Sequence, residues 1–346
     1  MAPVKNGRHL FKEIASGFPE PGKTTAYDET QTIDLEKVPL KGGMLVKILY
    51  ISIDPYLRFR MRDPKEEKNF PLFKIGEPID SHAVGRILRS ENTKYKAGDH
   101  VYGRLPQEQY TILAKDADVT VIQNEENIPW SLYVGVAGMP GQTAYVGWRH
   151  FAKSKKGDTV FVTTAAGPVG ATVVQIAKAE GLRVIASAGS KEKVDFVKSL
   201  GADVVFNYKE EDTRKVLQRE GPIDIYWDHV GGEILDAVLE NTSLGATIIV
   251  RPSLTYSIPS NLTCRPVYRH SLIFERDITI YGFRVHVIMS PEDRDSFYKE
   301  IPKAIASGRM RYREQVTKGL ENAPQVLLDV QLGKNEGKSV IEVARE

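Results

Sequence analysis

The spacing of apolar and polar residues changes about a third of the way along this chain. Up to about residue 130 the apolar runs are short, as at 44–53, 83–88 and 110–113, and Gly and Pro interrupt them. Segment 96–103 (Lys-Ala-Gly-Asp-His-Val-Tyr-Gly) reads as a turn entering a strand. Such a pattern predicts an irregular, mostly β domain. Beyond 130, strands are predicted at 160–163, 183–187, 204–207, 224–228, 247–250 and 278–281. Helices are predicted between them at 169–180, 191–200, 212–218 and 234–239. Alternation of this kind predicts a doubly wound parallel sheet with right-handed crossovers. A helix at 291–307, a strand at 316–319, a helix at 323–332 and a strand at 339–343 then return the chain to the first domain. The expected fold class is α/β, with a β domain at 1–130, rejoined by 291–346, and a doubly wound domain at 131–290.

The turn at 163–170 (Thr-Thr-Ala-Ala-Gly-Pro-Val-Gly) gives this pattern chemistry. A strand that turns tightly into a helix leaves backbone N–H groups aimed outward, and with the helix dipole they attract a pyrophosphate. The turn fits the dinucleotide fingerprint with Ala165 in the first glycine slot, then Gly167 and Gly170. An NAD site would carry a carboxylate at the tip of the second strand. Here that tip reads Ala-Ser-Ala-Gly-Ser-Lys-Glu-Lys at 186–193, with a hydroxyl at Ser190 and ammonium groups at Lys191 and Lys193. Cations suit a 2′-phosphate, so NADP(H) is favoured. Glu192 is expected to point elsewhere on the turn.

Composition narrows the class. The 346 residues are 41% hydrophobic with a net charge of +2, which leaves room for two cores and gives no basic excess for nucleic acid. No apolar run approaches a membrane span, and no signal-like h-region opens the chain. The single cysteine, Cys264, excludes an internal disulfide and a multi-cysteine zinc lobe. A soluble, cytoplasmic protein is expected, with no nucleic-acid or membrane partner.

Several strings carry a resemblance. They are 138–145 (Gly-Met-Pro-Gly-Gln-Thr-Ala-Tyr), 165–170 followed by Gln-Ile-Ala-Lys at 175–178, and 201–209 (Gly-Ala-Asp-Val-Val-Phe-Asn-Tyr-Lys). Val-Gly-Gly-Glu at 230–233, Gly-Lys-Asn-Glu-Gly-Lys at 333–338 and Leu-Tyr-Ile-Ser-Ile-Asp-Pro-Tyr-Leu-Arg at 49–58 complete the set. Together, over nearly the whole chain, they resemble the zinc-independent medium-chain dehydrogenase/reductases. The similarity is to the branch of leukotriene B4 12-hydroxydehydrogenases, prostaglandin reductases and alkenal double-bond reductases. The resemblance implies a GroES-like catalytic domain around a Rossmann domain, a homodimer, and NADPH-dependent reduction of the C=C bond of enals and enones.

It also implies roles for single residues. Gly167, Pro168, Val169 and Gly170 would lie under the pyrophosphate, while Lys193 and Tyr208 would hold the 2′-phosphate. Val250, Arg251 and the loop to Tyr256 would pass the ribose and nicotinamide. Phe283, Arg284 and Val285 would meet the carboxamide through backbone groups, and Asn335 would reach the cofactor from the tail. His229 stands where the family commonly has Asn, and it would donate to a ribose hydroxyl. Arg251 stands where the family commonly has Gly.

Zinc-dependent relatives use an early cysteine and a Gly-His-Glu segment; neither is present, and His82 has no partner at ligand spacing, so no metal is expected. Alkene reduction without metal needs a donor at the carbonyl oxygen as enolate charge builds there. A tyrosine hydroxyl suits this, and the resemblance implies that Tyr256 is the one, holding that oxygen and a candidate to relay the proton. It likewise implies that Tyr56 caps the substrate pocket, with Met139 lining it near the nicotinamide. Arg251, Arg265 and Arg269 are either a site for a substrate carboxylate or a solvated basic loop. Arg58, Arg60 and Arg62 are expected to face solvent. A quinone oxidoreductase and a non-catalytic NADPH-binding protein stay open as alternatives.

Overall fold

A computed structural model describes residues 2–65, 71–250 and 266–346. Tyr256, Arg251 and Arg265 therefore lie outside the described residues. The described chain forms two units, one running through Gly138 and resuming at Glu314, the other running from Met139 to Arg313.

The first unit is built on a seven-stranded sheet. Strands Glu314–Lys318, Lys338–Glu342, Met44–Ser52, Asp80–Ser90, His100–Pro106 and Val119–Val121 lie in that order, and Tyr110–Leu113 also pairs with Met44–Ser52. Nearly every side chain of Met44–Ser52 is buried. Its run of Leu, Val and Ile is therefore continuous rather than alternating, as both faces are covered. Phe11, Phe73, Leu57, Leu320 and Leu327 close the core over it.

The second unit carries six parallel strands in the order Val204–Asn207, Arg183–Ala188, Thr159–Val162, Ile223–Asp228, Thr242–Val250, Thr279–Gly282. This is the 3-2-1-4-5-6 order of a dinucleotide-binding sheet. Successive side chains serve opposite faces. Val160, Val162, Trp227 and Ile249 join one core with Trp148 and Val173. Phe161, Tyr226 and Ile248 join the other with Leu217 and Leu239. Each such side chain contributes roughly 1.5–3 kcal/mol of burial, so the two-sided period fixes the register of every strand.

Three features depart from the expectations. Helix Met139–Phe151 has no counterpart in the sequence pattern, because Met139 through Trp148 are all buried and no polar face marks a helical period. Helix Pro291–Ala306 packs in the second unit through Phe297 on Tyr145 (5.6 Å) and Tyr298 on Gln142 (3.1 Å). The return to the first unit therefore begins at Glu314 rather than at 291. Arg58 and Arg60 do not face solvent: both are buried on the 3-10 turn Pro55–Met61. Arg58 donates to the Ala15 and Gly17 carbonyls, and Arg60 pairs bidentately with Asp80. Such burial is tolerated only because each guanidinium is hydrogen-bonded.

Candidate cofactor and substrate site

Strand Thr159–Val162 leads into helix Pro168–Ala179 through a turn with Thr164 in the left-handed region (φ 49°). Two backbone bonds fix it: Ala165 N–H donates to the Ser187 carbonyl (3.0 Å) and Gly167 N–H to Thr164 (3.0 Å). Gly167 is the N-cap and offers no side-chain oxygen, while Pro168 at the first helical position has no N–H to satisfy. The amides of the first turn are left for an outside acceptor, and the helix dipole favours an anion. Gly170 is needed for the close approach. A Cβ there would stand 2.8 Å from Ala165 Cα and 2.8 Å from the Thr164 carbonyl. The turn fits a pyrophosphate, and a side chain at 170 would force the turn and the helix start apart and so distort the cradle.

At the neighbouring strand tip, Ser190 caps helix Lys191–Ser199 by accepting from Lys193 N–H. Tyr208 is half exposed, and its hydroxyl lies over Gly189, where a Cβ would come within 2.8 Å. Ser190, Lys193 and Tyr208 thus share one strand tip. Lys191 is committed to Asp195 (2.6 Å). The helix-start backbone and the Ser190 hydroxyl hold the Glu192 carboxyl below the usual range.

Strands Thr159–Val162 and Ile223–Asp228 flank the point where the strand order reverses, the usual place for a ligand crevice. His229 sits there, buried, with both ring nitrogens in use. Its Nδ1 bonds the Thr163 carbonyl (2.8 Å), and its Nε2 accepts from Trp227 Nε1 (3.1 Å). The neutral Nδ1–H tautomer satisfies both, so the ring keeps no donor for a ribose hydroxyl; this corrects the sequence expectation. Sequence reasoning passed over Asp228 beside it. One carboxylate oxygen of Asp228 accepts from the Tyr226 hydroxyl (2.8 Å) and from the Val230 and Gly231 amides (2.8 and 2.7 Å). Burial pushes both the Asp228 carboxyl and the Tyr226 phenol up. The Asp-x-Val-Gly-Gly spacing was the available signal.

Val250 ends its strand opposite Gly282, and Phe283, Arg284 and Val285 follow directly. The Phe283 ring packs on Phe151 and Trp227, where Gly147 makes room for it. The Phe283 ring is thereby held in the core and leaves its backbone groups to face a ligand. Met139 is buried at the start of its helix, with Thr143 Oγ1 donating to its carbonyl (2.8 Å). Arg269 pairs with Glu240 (2.7 Å), which leaves it a poor receptor for a substrate carboxylate. Arg251 and Arg265 lie outside the described residues.

In the first unit, Tyr56 stands on the turn Pro55–Met61. Its hydroxyl lies 3.4 Å from His82 Nδ1, and His82 stacks on Tyr102. Burial, with Asp54 nearby, raises the Tyr56 phenol well above its ordinary value. The Asn335 amide donates to the Gly337 carbonyl (2.6 Å) and so shapes its own turn. Sequence reasoning missed Lys338, buried beside Asp54 (3.3 Å). Among the described residues no group of three or more His, Cys, Asp or Glu is placed to hold a metal ion, and no helix is long and apolar enough to cross a membrane.

Comparison with known proteins gives two family matches. Residues 11–122 match the N-terminal domain of oxidoreductase, and residues 168–301 match the zinc-binding dehydrogenase family. The chain is 38% identical to a 2-alkenal reductase (NADP(+)-dependent) of Nicotiana tabacum, over 99% of each chain. It is 40% identical to (+)-pulegone reductase of Mentha piperita, over 92% of this chain and 93% of that one. CurA of Vibrio vulnificus, solved in complex with NADPH, superposes with a TM-score of 0.87 at 29% identity, over 98% of this chain and all of that one.

Proposed function

The chain belongs to the zinc-independent medium-chain dehydrogenase/reductases, and from that premise we propose that it reduces the C=C bond of α,β-unsaturated aldehydes and ketones with NADPH. The observation that carries this reading is the end-to-end likeness to a 2-alkenal reductase and a pulegone reductase. NADP(H) agrees with the strand tip described above, where Ser190, Lys193 and Tyr208 converge. When bound, the nicotinamide supplies the hydride that the β-carbon of the substrate receives.

The protein binds, orients and moves a proton. In this proposal Gly167, Pro168, Val169 and Gly170 hold the pyrophosphate through backbone N–H groups and the helix dipole. Lys193 and Tyr208 hold the 2′-phosphate through charge-assisted bonds. Val250, Arg251 and the backbone of Phe283, Arg284 and Val285 frame the nicotinamide end, with Asn335 reaching from the tail. His229 shapes the crevice as a latch between Thr163 and Trp227 rather than as a ribose donor.

Tyr256 donates to the carbonyl oxygen, which gains negative charge as the β-carbon takes the hydride. A donor aimed at that charge is the largest contribution the protein makes to the barrier. The α-carbon then takes a proton from water, relayed through the Tyr256 hydroxyl, and the product is the saturated carbonyl compound. Tyr56 and Met139 line the substrate side.

A homodimer in the cytoplasm completes the proposal. The dimer is supported by the exposed sheet edge at Thr279–Gly282 and by Phe274 and Val287 beside it. The test is a panel of enals, enones and quinones with NADPH and NADH, read at the nicotinamide absorbance. The reading expects turnover of enals and enones with NADPH. Turnover of quinones alone moves the chain to the quinone oxidoreductases, and no turnover of any substrate leaves a non-catalytic binder.

A further inference from the structure

Asp54 occupies the N-cap position of the turn Pro55–Met61, where a carboxylate ordinarily accepts from the first free amides. It makes no such bond. Its carboxylate is turned back instead, one oxygen accepting from the Ser52 hydroxyl and the other lying 3.3 Å from Lys338 Nζ. Both side chains are almost fully buried. The Lys338 ammonium also donates to the Ile53 carbonyl (2.7 Å) and the Ser339 carbonyl (2.8 Å).

These bonds lie where one element ends and another begins. Strand Met44–Ser52 pairs with Lys338–Glu342, with Ser52 opposite Val340, and the ladder closes with Ile53 N–H on the Ser339 carbonyl (3.2 Å). Two residues later the chain enters the turn that carries Tyr56, and Gln331 Nε2 holds the Pro55 carbonyl there (3.0 Å). Removing an ammonium from water is costly, and a well-packed apolar residue would support a sheet as well. The position asks for a group that can bond two carbonyls and a carboxylate at once, which an apolar side chain cannot do.

We infer that Lys338 is a positioning residue for substrate binding: by tying Ile53, Asp54 and Ser339 together at the end of the ladder, it sets where Tyr56 stands. This rests on the proposed contact of Tyr56 with substrate. The relation is directional. Lys338 does not touch the substrate, and its effect passes through the turn.

The test uses the full-length enzyme at saturating NADPH with trans-2-nonenal as probe. Lys338→Met keeps the length of the side chain and removes its donors. Misplacement of a binding group by a fraction of an ångström to about 1 Å costs up to about a hundredfold, so KM is expected to rise about tenfold while kcat changes by less than about twofold. In a Tyr56→Ala background, where no side chain is left to line the pocket, Lys338→Met is expected to raise KM no further. A full KM rise in that background overturns the proposal, as does a fall in kcat at constant KM. If Tyr56→Ala alone leaves KM unchanged, the substrate role of Tyr56 fails. Hydrogen exchange over residues 53–61 then decides the clamp, faster exchange in Lys338→Met supporting it and unchanged exchange overturning it. Should Lys338→Met not fold, Asp54→Asn with Lys338→Met removes both charges and carries the same expectations.

Discussion

Adding one methyl group at Gly170 tests the cofactor loop at its tightest point. The new Cβ would stand 2.8 Å from two backbone positions, Ala165 Cα and the Thr164 carbonyl, against 3.4 Å where ordinary contact begins. Neither neighbour is a side chain that can swing aside. The turn and the helix start must separate by about 0.6 Å, which moves the outward-facing amides off their common centre. Overpacking of this kind costs about 1–3 kcal/mol. Drawn from binding at 1.4 kcal/mol per decade, that is roughly a five- to 140-fold loss of NADPH affinity.

Gly167→Ala probes the same cradle from the ligand side. Within the chain its Cβ meets only the Thr164 carbonyl, at 3.3 Å, and its φ of −74° suits any residue, so the fold should tolerate it. That variant should melt near the native temperature and still lose NADPH affinity, because the methyl group stands where the pyrophosphate must approach the backbone. Titration of nicotinamide fluorescence gives both dissociation constants, and a thermal melt checks that each variant is folded. Native NADPH affinity in folded Gly170→Ala would refute the reasoning that this loop cradles the cofactor phosphates.

Other predictions follow from the same geometry. Lys193→Ala should weaken NADPH binding by about tenfold or more and leave NADH unchanged, because a charge-assisted bond to the 2′-phosphate is worth about 1.5–3 kcal/mol; equal losses for both cofactors would contradict it. Glu192→Gln should tighten NADPH by up to about threefold and leave NADH alone, since it removes a screened like charge at the same tip. Tyr256→Phe should lower kcat by about 10²–10³-fold with NADPH affinity unchanged, the usual loss of one donor to a developing oxyanion; full turnover would remove Tyr256 from its role. His9 is buried on Gln107, and burial holds its imidazole down to about 4 from an ordinary 6.5. The unfolded chain then binds the extra proton. Stability is intact above pH 6.5 and falls as pH drops toward 4, by about 3 kcal/mol in all. Denaturant unfolding at pH 7 and pH 4.5 should show that slope, and His9→Asn should flatten it.

Much of the second unit was legible because local and global signals agree there. The apolar run at 160–162, the glycine turn and the helix after it each predict the same strand–turn–helix, and six strands with four helices read between them point to one parallel sheet. The tip at Ser190 and Lys193 was equally local. Helix Met139–Phe151 was not legible, because burial on nearly all sides erases the polar stripe that marks a helix. Arg58 and Arg60 misled for a related reason. Charge in sequence reads as exposure, and the carbonyls and carboxylate that satisfy these guanidinium groups are set by the fold. Lys338 and Ile53 lie 285 positions apart, so no local pattern joins them. The bonds of the His229 ring to Thr163 and Trp227 are likewise set by the fold, since Thr163 lies on a different strand end.

The central claim is that the chain delivers hydride to the β-carbon of the alkene rather than to the carbonyl carbon. Incubation of the metal-free protein with NADPH deuterated at the transferring position of C4 and an enal, followed by mass spectrometry and NMR of the product, tests it directly. The account predicts a saturated aldehyde with one deuterium on the β-carbon. An allylic alcohol with deuterium on the former carbonyl carbon would contradict it.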